Sequence, residues 1–527
     1  MLFNSYVFIF GFLPVTYLLY RGLTARSLDS AAIGLLVAAS LFYYAWWNPA
    51  YLGLIVASMV VNFDLGRRIS SSRIAHRAKL RRLLLASGIT ANLAALAYFK
   101  YAGFLARSAN NVLDVGLAVP DIVLPLAISF FTFQQIAYLV DVYRNEAHEY
   151  SALHYALFVT FFPQLIAGPI VHHKEMLPQF TDSTRRDQLD DLAVGASIFV
   201  IGLFKKAVLA DGIAPYASAT FDAAAAGQPV SMLVAWGGAL SYTFQLYFDF
   251  SGYSDMAIGS ARIFGIKLPL NFHSPYKALS ITEFWRRWHM TLSRFLRDYL
   301  YIGLGGNRRG PVRRYANLLI TMVLGGLWHG AGWTFIVWGA LHGAYLVINH
   351  AWATLGVPRR IGSTPLGSVY RAAAWGSTFV AVVIGWVFFR APDFDSAIHM
   401  LTGMTGHQGV ALPNAILARL GAFGEHLNAL GIEAYIGGGR DFVMMWMWCI
   451  ALGFVAVFWP NTQQIMSRFA PALSVHEPSE RHALTTLSCL NGIRFAFSLR
   501  WAIALAIVAT LGILALGQVS EFLYYQF

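Results

Sequence analysis

The chain is 527 residues long, 57% hydrophobic and 12% charged, with a mean hydropathy of +0.54, which leaves too little polar surface to cover the core of an ordinary soluble protein. The composition selects a polytopic membrane protein. The net charge of +12 is scattered through short loops, which argues against nucleic acid as a partner and assigns the basic excess to topology.

Apolar runs of the length that spans a bilayer, about 20 residues, occur near 2–20, 31–47, 50–66, 83–99, 120–140, 154–171, 190–210, 230–250, 315–333, 334–350, 371–389, 442–459 and 501–521. They predict an all-α fold with about ten to thirteen spans, some runs being re-entrant or interfacial. No basic region precedes the first run and no small-residue cleavage site follows it, so Leu2 to Tyr20 reads as a retained span. Asn48-Pro49 joins two spans without a charge, whereas Arg67 to Arg82 holds seven Lys or Arg and no acid. That loop is expected in the cytoplasm, together with Arg21 and Arg26, which places the N-terminus outside. Lys205 and Lys206 fall inside a span, where the expectation is that they snorkel to the nearest interface. No internal repeat is evident, which weakens a transporter reading built on repeated halves.

The less apolar parts are a central segment at 266–314, a stretch from Ala391 to Asp441 expected to fold over one face, and a tail at 461–500. In the central segment Ser280-Ile281-Thr282-Glu283 has capping-box spacing and predicts a helix start. Continued at 3.6 residues per turn, that helix would carry Trp285, His289, Leu292, Leu296 and Tyr299 on one side and direct Arg287, Arg294 and Arg297 elsewhere. An interfacial helix with His289 as a packing residue is the alternative. From Lys277 to Arg314 nine Lys or Arg face Glu283 and Asp298, around a glycine-rich run at 303–310. Such a run can cradle phosphate, or it can be a basic loop that enforces topology; it matches no nucleotide-binding fingerprint.

Next comes Leu327-Trp328-His329-Gly330, inside an uncharged stretch from Tyr315 to Leu346. An ionisable ring at membrane depth faces a cavity or the protein interior, and it marks His329 as a functional candidate. The two cysteines, Cys449 and Cys489, lack the paired spacings of zinc or redox sites and are assigned no chemistry.

Phe284-Trp285-Arg286-Arg287-Trp288-His289-Met290-Thr291-Leu292-Ser293, followed by Phe295-Leu296-Arg297-Asp298-Tyr299 and then by Gly325-Gly326-Leu327-Trp328-His329-Gly330-Ala331, resembles the signature of the membrane-bound O-acyltransferases. Blocks at 124–134, 138–144, 161–170, 247–257 and 461–464 resemble the bacterial alginate O-acetyltransferase branch, in order along the chain to about residue 465. The stretch from Ala391 to Asp441 and the tail beyond Gln464 depart from it.

The resemblance implies one membrane-bound O-acyltransferase domain over residues 1–527, with helices around a buried catalytic tunnel. It implies acyl transfer, most simply acetyl transfer, from a cytoplasmic thioester to a hydroxyl of an exported polysaccharide, directly or through a periplasmic acetyltransferase partner. His329 is the expected general base; His289 is expected to orient the substrate or stabilise the oxyanion. Acetyl-coenzyme A is the expected co-substrate, with Arg286, Arg287, Arg308 and Arg309 on its phosphates, no tightly bound cofactor and no metal. Trp285, Trp288, Trp328, Asp249, Tyr253 and Asp255 are expected along the tunnel; for the last three, a role in holding helices together is the alternative. The expected location is the bacterial inner membrane, among lipids. D-alanyl transfer from a carrier protein, a flippase for a lipid-linked sugar and a scaffold for export are the competing functions.

Overall fold

In a bilayer the backbone must satisfy its own hydrogen bonds, so long apolar runs free of proline fold as helices. The structure, a computed structural model, describes residues 1–71, 76–146, 151–181, 189–356, 366–473, 484, 488–490, 492–517 and 523. Part of the basic 67–82 loop, much of the 461–500 tail and the end of the 501–521 run lie outside the described residues.

The fold is helical almost throughout. Strand structure among the described residues is one parallel pair, Ala411–Pro413 beside Glu433–Tyr435, and an isolated bridge between Pro269 and Leu473. Val7–Thr24, Ala78–Leu113, Leu189–Ala225, Gly367–Arg390 and Gly439–Phe458 are long and apolar enough to cross a membrane, and Asp29–Ala45 and Leu499–Ala515 are shorter apolar helices. That set is smaller than the expected ten to thirteen, because other long helices carry more polar, aromatic and small residues. The 154–171 run is not one span. Its helix Ala152–Thr160 ends at Phe161, one turn follows at Phe162–Leu165 with Pro163 in it, and both are packed in the interior. The 120–140 run becomes helical only at Ile128, beyond Pro120 and Pro125.

The central pillar is Met232–Ile263, a helix of 32 residues and so about 48 Å long. It is buried along its whole second half. Leu189–Phe204 runs against it on two glycine pairs. A Cβ on Gly195 would meet the Gly259 carbonyl oxygen at 2.7 Å, and one on Gly202 would meet that of Gly252 at 2.7 Å. The seven-residue spacing on both helices makes a seam where the backbones touch. Gly310–His329 and Trp333–Thr354 form a second close pair, in which a Cβ on Gly326 would lie 2.2 Å from the Phe335 carbonyl oxygen.

Beyond the first seam the 189–225 helix widens into a π-turn at Lys205–Ala210. Both lysines turn inward, contrary to the snorkelling expectation. Lys206 lies 2.7 Å from Asp211 and 2.6 Å from Asp249, and Lys205 lies 2.8 Å from Asp255. An unpaired charge at this depth is expensive, so each ammonium is met by a carboxylate. Asp255 also accepts the Thr462 hydroxyl at 2.6 Å, which ties the capped Asn461–Gln464 turn to the pillar.

The 391–441 stretch clamps the start of the pillar: Trp236 Nε1 donates to the Met404 carbonyl at 3.0 Å and the Met232 amide to that of Gly409 at 3.0 Å. At the far end Arg262 pairs with Asp191 at 2.6 Å and donates to the Ala470 carbonyl. The two less apolar stretches therefore occupy opposite ends of the molecule.

Candidate active site

The segment 280–301 does not form the single amphipathic helix that its periodicity suggests. Ser280 caps the start by accepting the Glu283 amide at 3.2 Å, but the helix stops at Trp285 and resumes only at Met290. Glu283 does not complete a capping box. Its carboxylate turns to Arg287, 2.7 Å away, and the Arg287 guanidinium, fully buried, also donates to the His273 carbonyl at 3.1 Å. The His273 amide donates to the Arg287 carbonyl at 2.9 Å, and the Met290 amide to that of Asn271 at 2.9 Å. These bonds pin 287–290 against 271–273 and break the helix between them. His289, at φ 42°, takes the left-handed conformation that this turn requires; histidine tolerates it better than most residues.

His289 is fully buried. Its Nδ1 lies 3.1 Å from Asn271 Oδ1, and its ring meets Phe250 edge-on at 4.8 Å between centroids. It belongs to no membrane-spanning helix, and burial pushes its imidazole down to about 3. His329 ends the Gly310–His329 helix, its ring centroid 6.2 Å from that of His289. Trp328 at 4.9 Å, Trp338 at 5.2 Å and Phe389 at 5.2 Å surround it. The carbonyls that a helix leaves unbonded at its end are taken up from the 97–101 π-turn: Lys100 Nζ donates to those of Trp328 at 2.6 Å and His329 at 3.0 Å, and Tyr101 to that of Leu327 at 2.8 Å. A cation there also opposes the negative end of the helix dipole.

The expected tunnel is two spaces. A void of about 20 Å³ lies beside His329, between Asp249, Phe250, Trp288, Trp338, Trp386, Phe389 and Leu523. A cavity of about 810 Å³ has Trp285, Arg286, Met290, Thr291, Arg297 and His350 in its lining. The segment Trp288–Thr291, carrying His289, is the wall between them. The cavity's Arg294 pairs with Glu175 at 2.6 Å, next to a chain of contacts in which Tyr299 reaches Asp141 and His172, and Arg81, at the end of the basic loop, reaches the Tyr143 carbonyl at the same helix end.

Of the four arginines expected on a donor, Arg286 lines the cavity and is largely exposed. Arg287 is withdrawn into its ion pair, because Glu283 sits one turn before it; Arg308 and Arg309 are exposed on the 303–310 loop and do not line the cavity. Trp285 lines the cavity and Trp288 and Asp249 the void, whereas Trp328 packs on Phe130 and Phe133. Tyr253, stacked on Phe3, and Asp255 line neither, which is the helix-holding alternative. Sequence reasoning missed Asn271, Lys100, Trp338, Trp386 and the fully buried His342, whose Nδ1 faces Trp285 Nε1 at 3.3 Å. Lys100 had a signal: a lone cation one residue beyond the 83–99 run. Among the described residues no cluster of metal-ligating side chains forms, and Cys449 and Cys489 are free thiols.

Residues 122–361 match the family model of the membrane-bound O-acyltransferases, a range that holds Asn271, His289 and His329. The chain is 47% identical to the peptidoglycan O-acetyltransferase of Helicobacter pylori over 439 residues, 78% of this chain and 81% of that protein. It is 44% identical to the probable alginate O-acetylase of Azotobacter vinelandii over 409 residues, 77% of this chain and 78% of that one. The teichoic acid D-alanyltransferase of Streptococcus thermophilus is 32% identical over 236 residues, 43% of this chain and 57% of its own.

Proposed function

Because the chain belongs to the membrane-bound O-acyltransferase family, as a multi-pass membrane acetyltransferase, we propose that it moves an acetyl group from cytoplasmic acetyl-coenzyme A to a hydroxyl of an exported polysaccharide, directly or through a periplasmic acetyltransferase partner. The observation that carries this reading is the wall: one segment, Trp288–Thr291, carries buried His289 with buried His329 beside it, and its Met290 and Thr291 line a cavity of about 810 Å³. The contacts that run from the cavity's Arg294 to Arg81 support a cavity on the side of the Arg67–Arg82 loop, which the positive-inside tendency assigns to the cytoplasm of a bacterial inner membrane; on this reading the N-terminus is periplasmic. A thioester made in the cytoplasm reaches this cavity without crossing the bilayer, and Arg286 is the cation on its lining best exposed to a phosphate.

The chemistry asks for a group that takes the proton of a weakly nucleophilic hydroxyl and for hydrogen-bond donation to the oxyanion. His289 and His329 are the pair for these tasks, in surroundings that keep water away. The 391–441 stretch, at the start of the pillar and so at the end away from Arg262, is the natural seat of acceptor recognition. D-alanyl transfer from a carrier protein is the second acyl reading, and similarity to a teichoic acid D-alanyltransferase over 236 residues is what favours it. A flippase or an export scaffold accounts for the apolar composition but not for the paired histidines beside the cavity.

The test is purified protein given acetyl-coenzyme A radiolabelled on the acetyl group, with coenzyme A release and label position followed with and without candidate acceptors. Thioester consumption that disappears in His329→Ala while acetyl-coenzyme A still binds supports the assignment. Consumption of a carrier-protein thioester instead moves the donor to the D-alanyl reading. Consumption of neither overturns it.

A further inference from the structure

Three hydrogen bonds converge on one atom beside His289. Asn271 Oδ1 lies 2.9 Å from the Thr291 hydroxyl, 3.1 Å from His289 Nδ1 and 3.4 Å from the Thr291 backbone nitrogen. A backbone N–H only donates, so the atom facing it is the amide oxygen of Asn271 and not its nitrogen. The rest of the amide agrees, because Nδ2 donates to the Ser254 hydroxyl at 3.2 Å. The Thr291 hydroxyl itself receives the Ile170 amide at 3.0 Å, which leaves its hydrogen for Asn271. An oxygen that offers only lone pairs obliges His289 Nδ1 to carry a hydrogen. In a neutral imidazole the other nitrogen is then bare. Nε2 is that nitrogen; it is buried and has no hydrogen-bond partner among the described residues.

We infer that Asn271, braced by Thr291, is a positioning residue that fixes His289 as its Nδ1–H tautomer, so that His289 enters acyl transfer as the proton acceptor through Nε2. This rests on the reading of His289 and His329 as the reacting pair, and it reverses the roles expected from the sequence. With its one hydrogen turned away, neutral His289 has none to give an oxyanion. Donation passes to His329, whose ring is bound by aromatic faces and is not committed to one tautomer. In the step, the hydroxyl oxygen bonds to the acyl carbon as its proton moves to His289 Nε2. The carbon–sulfur bond breaks, its electron pair leaves on sulfur, and the imidazolium returns the proton there to give a free thiol. Nothing besides thioester and hydroxyl is consumed.

The groups around the ring are Phe250 from the pillar, Phe272 and Asn271 from the returning loop, and Trp328 and His329 from the helix end. His329 is the titratable one, so a carboxylate placed at 271 acts directly on His289. Three variants and one spectrum test the inference. Asn271→Leu removes the acceptor and is expected to lower kcat about 10- to 100-fold, with KM for the thioester little changed. Asn271→Asp keeps an acceptor oxygen, so it restores part of kcat, and its charge favours imidazolium, moving the acid limb of the kcat profile to higher pH by about one unit or more. A merely structural role predicts no such shift. Nitrogen spectra of histidine-labelled wild-type protein, with the His289 signal assigned by its loss in His289→Gln, are expected to show a protonated Nδ1 and a bare Nε2. The opposite tautomer overturns the inference even if Asn271→Leu fails to fold. If His289→Gln and His329→Gln retain full transfer, the reading of the pair fails instead, whatever the tautomer.

Discussion

His289 and His329 stand with ring centroids 6.2 Å apart, yet they are held by opposite means. The His289 side is specified by directed bonds: a left-handed backbone turn, a buried Arg287–Glu283 pair and a side-chain amide on Nδ1. The His329 side is specified by shape: a glycine-packed helix pair, a ring of Trp338, Trp386 and Phe389, and a lysine and a tyrosine on the backbone behind it. Directed bonds fix which atom of a ring faces the reaction. Packing fixes where a ring sits and leaves its tautomer uncommitted. An acyl transfer needs one group of each kind.

The comparison breaks first at the rings themselves. His289→Gln and His329→Gln are each expected to lower kcat by about 10²–10⁴, and the double variant by little more than either, since groups acting as a unit are not additive. Additive losses in coenzyme A release would separate the two. Next, Arg287→Leu leaves buried Glu283 with only the exposed Arg286 at 3.9 Å and is expected to cost about 3 kcal/mol, the low end for breaking a buried pair. The check is thermal unfolding in detergent, and the damage belongs to the His289 side, so Glu283→Leu in the same protein should recover much of it. A smaller effect is expected for Lys100→Met, about 1–2 kcal/mol from the uncapped helix end, with kcat lowered as His329 shifts and the His289 tautomer unchanged. A tautomer change in that variant would mean that the two sides are not independent. Smallest is Arg286→Ala, expected to raise the KM for acetyl-coenzyme A a few-fold, as for a solvent-exposed charge contact, with kcat unaltered; Arg308→Ala and Arg309→Ala should do less.

The same division governs what the sequence let one read. The helix end at His329 was legible, because an apolar run and a histidine at membrane depth are one-dimensional signals. The identities of Trp285, Arg286, Arg287, Trp288 and His289 were legible too, but their conformation was not. Helical periodicity treats 280–299 as one element, and what interrupts it is a strand-like return of Asn271 and His273 and a carboxylate that takes Arg287 inward. Those are tertiary contacts, with no period along the chain. Lys205 and Lys206 failed for the same reason: snorkelling is the default for a lysine with no partner, and the partners Asp249 and Asp255 lie on another helix. Of the four arginines, the one whose side chain lines the cavity could not be separated by spacing from the one beside it.

The wall between cavity and void has a consequence outside catalysis. Trp288–Thr291 is one segment thick, and bulky rings back it on the void side. In the inner membrane proposed above, which stores energy as an ion gradient and tolerates no standing aqueous leak, this segment would also act as a permeability seal. Smaller residues at Trp288 would then cost the cell through proton leakage even where transfer survived, and growth on a limiting carbon source would register that cost before any assay of the polymer did.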